Sequence, residues 1–329
     1  MKNELCYYSN LSTFKSIIEN QTFWLSDIHF MNDSSEENLF LEVLTDVMRN
    51  EKIKLSEETK KYLKNKNFIN SFFDNIKANY KNVVCICCFT VDKNDDLSQW
   101  RGYADDGKGL CIGFKKEFIQ ALSNLQRIER YELRDGKYKL ISHISTSSVF
   151  AQNNLNYINK HEMIAKIENI VSPIVTKYDE ADKNIFSPNH PDALFTQELY
   201  KKTFNCKAFY KNKSFASEEE YRICFFDSLH EDAIGVANDA LMANMSAKYE
   251  FNIEKDKIEL SELKFRQGND KLIPYREMKF SKDYFSKMLS SITIGPKNPM
   301  AIADVKYFLL ANGFNIEDIE VKKSESTYQ

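Results

Sequence analysis

The stretch FASEEEYRICFF, Phe215–Phe226, carries three consecutive glutamates and an arginine into a run that otherwise reads as a buried β-strand. Side chains alternate along a strand, so Glu218, Glu220, Arg222 and Cys224 fall on one face and Glu219, Tyr221, Ile223 and Phe225 on the other. The Tyr-Ile-Phe face predicts core. The opposite face then holds two carboxylates and a guanidinium about 7 Å apart along the strand. Such a row either lines a pocket or is an exposed face, whose Glu/Arg neighbours contribute little and imply no chemistry.

Outward from this strand, KNVVCICCFT (81–90) is a continuous apolar run, the pattern of a central strand. LCYYS and TFWLS near the start predict strands flanking a helix that Ser12 caps and that turns Phe14, Ile17 and Ile18 to one side. Ser34 and Glu37 fit a capping box before a further helix, and Lys52–Lys81 reads as charged helix. Gly102, Gly107 and Gly109 predict a loop before the strand LCIGF. Strands resume late, with FNCKAFY, the opening stretch, KYEFNI and IELSELKF. The end reads as strand ITI, a Gly-Pro turn, and a helix capped by Asn298, opened by Pro299 and closed by Gly313. From 115 to 202 the pattern is polar and mostly helical. The expectation is an α+β fold: a mixed, split central β-sheet with flanking helices, one domain formed by 1–114 and 203–329, and a helical insertion at 115–202.

Composition narrows the classes. With 43% hydrophobic residues and only 9 Gly and 6 Pro in 329 residues, the chain has the makings of a substantial core. A net charge of −3 advertises no general affinity for nucleic acid or acidic membranes. No run has the length of a membrane span, and the opening MKNELCYYSN lacks a signal-peptide pattern. Seven scattered cysteines do not form a secreted disulfide framework, so a cytoplasmic protein is expected. Cys85, Cys87 and Cys88 alternate faces on their strand and read as small buried hydrophobes rather than metal ligands.

Histidine chemistry has little footing: the five histidines include no H-E-x-x-H or H-x-x-x-H pair. No G-x-S-x-G elbow, Walker loop or G-x-G-x-x-G fingerprint occurs. What remains is a polar and aromatic set at strand ends and loops: Tyr7, Tyr8 and Ser9, Trp24 and Ser26, Asn32, Asp33 and Glu36, Trp100, Arg101 and Tyr103, and the Glu218/Glu220/Arg222 row. Aromatic rings offer flat surfaces to a ligand ring, and carboxylates bind ribose hydroxyls or stabilise a cation. Both tryptophans are equally at home in a core. Arg266, before a turn, offers a planar fork for phosphate.

Taken in order, YYSN, FWLSD, FMNDSSEE, CFT, DLSQWRGYADDGKGLCIGF, FASEEEYR, LIPY, IGP and SESTY resemble the bacterial family called domain of unknown function 2971, with Ser34 where that family usually has proline after Asn-Asp. The opening strand–helix–strand and the late E-x-E strand look in turn like the split-sheet ADP-ribosyltransferases. That likeness implies Glu220 as the catalytic carboxylate, Glu218 as its helper, and Tyr8 and Ser26 at the places of the NAD contacts. It implies NAD as substrate, a nucleic-acid or protein acceptor, and a toxin or phage-defence role with a neutralising or defence-system partner. Two other classes fit the same residues: a module that senses a nucleotide or phage component without turnover, and a magnesium-dependent nuclease using Asp33, Glu218 and Glu220.

Overall fold

The computed structural model describes residues 3–31, 43, 82–124, 127–145, 150–180, 206–230, 245–253, 256–268 and 270–328. The strands in chain order are β1 (Glu4–Ser9), β2 (Thr22–Asp27), β3 (Asn82–Val91), β4 (Leu110–Lys115), β5 (Arg127–Arg134), β6 (Lys137–Ser145), β7 (Phe150–Asn154) and β8 (Asn156–Ile158). They continue with β9 (Tyr210–Asn212), β10 (Glu220–His230), β11 (Lys248–Ile253), β12 (Asp256–Leu260), β13 (Lys264–Gln267), β14 (Leu272–Phe280), β15 (Leu289–Ile294) and β16 (Glu320–Lys323). Among the described residues, fourteen of them form one mixed sheet, and β8 and β9 form a small parallel pair. The fold is α+β.

The sheet branches at β3. One edge of β3 pairs with β10 along its length, from Glu220↔Thr90 to Phe226↔Val84. The other edge is shared: β1 pairs only at Leu5↔Val91 and Cys6↔Thr90, and β2 only at Ser26↔Ile86 and Asp27↔Cys85. Between these contacts the Cys87–Phe89 stretch has no strand partner on that edge among the described residues. Here β1 turns away to β4 and β2 to β14, which splits the sheet.

Why β3 tolerates this is visible in its side chains. Cys85, Cys87 and Phe89 enter the main core, while Ile86 and Cys88 pack on the opposite side with Cys224 and Phe226. Both faces are therefore covered. Phe23 of β2 meets Phe89, Phe114, Phe280 and Phe285 at ring distances of 5.4, 5.0, 5.2 and 6.1 Å. Each such contact adds about 0.5–1.5 kcal/mol beyond burial, so the two branches are held by a shared aromatic centre below the split. The helices Leu11–Asn20, Lys282–Met288 and Ile302–Ala311 cover this face through Phe14, Phe285 and Val305.

Several expectations need correction. Residues 115–202 are not a helical insertion outside the sheet: β5 pairs with β11, β6 with β5, and β7 with β10. The helix Lys160–Glu180 is present, but the charged RIERYELR and KYKLISHIS are a hairpin with mostly exposed positions, whose polar sequence mimics polar helix. Asn10, not Ser12, caps the first helix, its Oδ1 accepting from Thr13 N at 2.8 Å. In FNCKAFY the described residues form a helical turn, Cys206–Phe209, entering β9 at Tyr210. Gly102 lies inside the helix Leu97–Tyr103 rather than in a loop.

IELSELKF divides into β12 and β13. The last helix starts at Ile302, where Asp304 accepts from Ala301 N at 2.7 Å; Asn298 instead ties the turn before it to Lys108 O. The helices expected from Ser34 and through Lys52–Lys81 lie outside the described residues. No described helix is long and apolar enough to cross a membrane.

Candidate functional site

The split opens into a cavity of about 670 Å³, within the range of about 300–1,000 Å³ usual for small-molecule sites. Its floor is the β3–β10 ladder. Register places Thr90 opposite Glu220 and Cys88 opposite Arg222, so these four side chains share the face turned into the cavity.

The opening stretch does not form one strand. Lys213–Glu218 is a 3₁₀ turn capped by Asn212, and Glu219 sits in the left-handed region at φ 44° before β10 begins at Glu220. Glu218 is therefore off the strand. It nonetheless returns to the same site, because Lys211 of β9 bridges it to Glu220, donating to Glu218 Oε2 at 2.8 Å and to Glu220 Oε2 at 3.3 Å. Tyr103 donates to the other Glu218 oxygen at 3.0 Å.

Glu220 is 7% exposed and Arg222 1%. The guanidinium grips the carboxylate with both Nε (2.5 Å) and Nη2 (3.1 Å) and gives Nη1 to Ala208 O at 3.1 Å. Burial works to raise the Glu220 pKa, but the charge and hydrogen bonds of Arg222, then Lys211 and the Cys88 thiol, outweigh it and hold the carboxyl below its ordinary value. Burial pushes the Cys88 thiol well above the usual thiol range, and the Glu220 carboxylate adds to the rise, so Cys88 is a donor here and not a nucleophile. Burial, with the nearby Glu218 charge second, also raises Tyr103. The cluster holds two anions and two cations in a desolvated space.

Of the residues singled out from sequence, Glu218, Glu220, Arg222, Tyr8, Trp24, Ser26, Tyr103 and Arg266 all line the cavity. Tyr8 does so as a wall: its hydroxyl donates to Lys93 O at 2.7 Å and accepts from Asp96 N at 2.9 Å, and its ring packs edge-on against Trp100 at 4.7 Å. Trp100 itself is fully buried beneath Tyr8 and is not a ligand surface; its indole N–H donates to Asp95 at 2.7 Å. Ser9 is buried at the β1–β4 ladder, away from the cavity lining. Asn32, Asp33 and Glu36 lie outside the described residues.

Sequence reasoning missed Lys211 and Cys88. Lys211 stands nine residues before Glu220 on a three-residue strand, and nothing local marks it. Tyr7, singled out from the sequence, stacks on Phe23 at 6.4 Å, meets Phe89 edge-on at 5.7 Å and faces the split. Among the described residues no group of three or more His, Cys, Asp or Glu side chains is arranged for a metal. Lys211 already stands where a cation shared by Glu218 and Glu220 would sit.

Residues 99–223 match the model of a family described as Protein of unknown function (DUF2971). The matched segment is well under half of the chain, yet it runs from Gln99 at one wall of the cavity to Ile223 on β10 and so contains Tyr103, Lys211, Glu218, Glu220 and Arg222. Neither the curated proteins nor the solved structures contain a match.

Proposed function

We propose that the cavity is the active site of an ADP-ribosyl-transferring enzyme that takes NAD as donor. The observation that carries this reading is the position of Glu220, an ionised carboxylate on the central ladder directly beside the gap where β1 and β2 part. In the proposed step the bond between nicotinamide nitrogen and ribose C1′ breaks, and nicotinamide leaves with the electron pair. Glu220 stabilises the oxocarbenium-like ribose, an acceptor oxygen or nitrogen bonds to C1′, and its proton passes to Glu218. A nucleic acid or a protein is the acceptor class, and a toxin or phage-defence effector is the setting this chemistry suits.

A ligand-sensing role without turnover is the second reading. The engagement of both Glu220 oxygens by Arg222 favours it, because a fully paired carboxylate has less capacity for a substrate. Nicotinamide release from NAD, and transfer of labelled ADP-ribose in cell extract, separate the two. Glu220→Gln is expected to lower turnover by at least about 100-fold. Since Arg222 would then lose its counter-charge, activity is compared below the melting transition of each variant. Glu218→Gln, at a more exposed position, is expected to fold as wild type and to lose turnover as well. Glu219→Gln, whose side chain pairs with Lys93 at 3.0 Å outside the cavity, should leave turnover intact. Wild-type turnover in both the Glu218 and Glu220 variants would overturn the assignment. Measurable NAD affinity with no turnover in any sample would favour the sensor, and magnesium-dependent nucleic-acid cleavage would favour a nuclease.

A further inference from the structure

The cations lining the cavity fall into two kinds. Arg222 and Lys211 are held by carboxylates. Arg266 and Lys271, on the two sides of the β13–β14 turn, pair with no carboxylate among the described residues; Asp270, the acidic residue of that turn, is exposed and bonds to neither.

Arg266 is under-satisfied. Among the described residues its Nη2 makes one long hydrogen bond, to Ser26 Oγ at 3.3 Å, and its Nε is buried without a hydrogen-bond partner. Its guanidinium lies 5.9 Å from the centre of the Trp24 ring. Lys271 Nζ lies 5.2 Å from the centre of the Phe30 ring. An aromatic face orients a cation without neutralising it, leaving the N–H edges available to an anion. The turn between them is closed by Gly268 N donating to Lys271 O at 2.7 Å, so Arg266 at the end of β13 and Lys271 on the turn are held close together by a short, braced hairpin.

We infer that the β13–β14 turn is an anion subsite that takes the phosphates of a nucleoside diphosphate, through the fork of Arg266, the ammonium of Lys271 and the hydroxyl of Ser26. The inference rests on reading the cavity as a nucleotide site and assigns the phosphate end of the ligand. Paired phosphate oxygens suit a planar fork beside a point charge, as a carboxylate or a neutral ring does not. The charge-balanced cluster around Glu220 is left for the sugar.

Binding of ADP and of adenosine to the full chain, measured by calorimetry at low and physiological salt, tests it. ADP should bind at least about 10-fold more tightly than adenosine, with the difference shrinking as salt rises. Arg266→Gln should remove most of that difference and Lys271→Gln part of it, with adenosine affinity unchanged. Lys271 is on an exposed turn, so its variant stays informative if Arg266→Gln folds poorly. Equal affinity of wild type for ADP and adenosine, or wild-type ADP affinity in both variants, would overturn the subsite. Loss of ADP binding in the variants with no NAD turnover in wild type would uphold the subsite and remove the transferase. NAD turnover with an unchanged KM in Arg266→Gln would do the reverse.

Discussion

Two polar clusters flank the helix Leu97–Tyr103, and they differ in what surrounds them. On one side Tyr103 joins Glu218, Lys211, Glu220 and Arg222 in the cavity. On the other, Tyr328 near the C-terminus is clasped between Arg101 and Lys297, at 4.5 and 3.9 Å from its ring centre, and donates to Asp106 at 2.6 Å. Lys297 also reaches Asp106 at 2.9 Å, and Ser324 reaches the same Asp95 that holds Trp100. The Tyr328 hydroxyl, then Lys297, hold Asp106 below its ordinary pKa, but Asp106 remains largely in water. The clasp is a fastening whose charges are screened. In the cavity cluster Lys211, Glu220 and Arg222 are desolvated, so each of these three depends on the others. Motifs of similar polarity thus divide into a site and a strap according to burial.

The largest expected effect lies on the buried side. Arg222→Met leaves Glu220 in a desolvated space without its bidentate partner, with only the longer contact to Lys211, and should destabilise the chain by about 3 kcal/mol, read from urea unfolding at pH 7. The same pair sets a pH dependence. A carboxyl whose folded pKa is below its unfolded value stabilises the fold above the unfolded value, ordinarily about 4.5 for glutamate, and that contribution is lost as pH falls through the folded pKa. Wild-type stability should therefore drop on acidification below about pH 4.5, and the gap between wild type and Arg222→Met should narrow there. A gap constant from pH 7 to pH 3 would show that the cluster gains nothing from the ionised carboxylate.

A smaller effect is expected where backbone contacts brace the strap. Gly295 N donates to Gly109 O at 3.0 Å and Lys297 N to Gly107 O at 2.9 Å, bringing two chain segments into direct contact. A Cβ on Gly295 would overlap Gly107 O and lie 2.8 Å from Gly109 O, so Gly295→Ala must part them. The cost should be about 1–3 kcal/mol, measured by thermal and urea unfolding. If the variant is as stable as wild type, the Gly-rich segments do not set the strap's geometry.

The smallest effect should come from Tyr328→Phe. It removes the bond to Asp106 but leaves both cation contacts, and the melting temperature should fall by no more than about 2 °C. A larger fall would put the strap energetically level with the cavity and erase the contrast between them.

Taken alone, the sequence was enough to determine the α+β class, the strand character of KNVVCICCFT and the buried face of Tyr221, Ile223 and Phe225, because period and apolar content are local properties. It also singled out Glu218, Glu220, Arg222, Trp24, Ser26 and Tyr103, since charges and aromatics inside strand patterns stand out. It could not distinguish the β5–β6 hairpin from polar helix, because an exposed strand lacks the clean alternation that a buried face imposes. Nor could it tell that Trp100 fills core while Trp24 lines a cavity, or that Glu218 lies off the strand yet rejoins Glu220 through Lys211. Those outcomes belong to the tertiary structure. They depend on where β1 and β2 leave β3, which is set by pairings between residues 58 to 86 positions apart, from Asp27↔Cys85 to Leu5↔Val91, and a pairing at that distance leaves no periodicity in the chain to read.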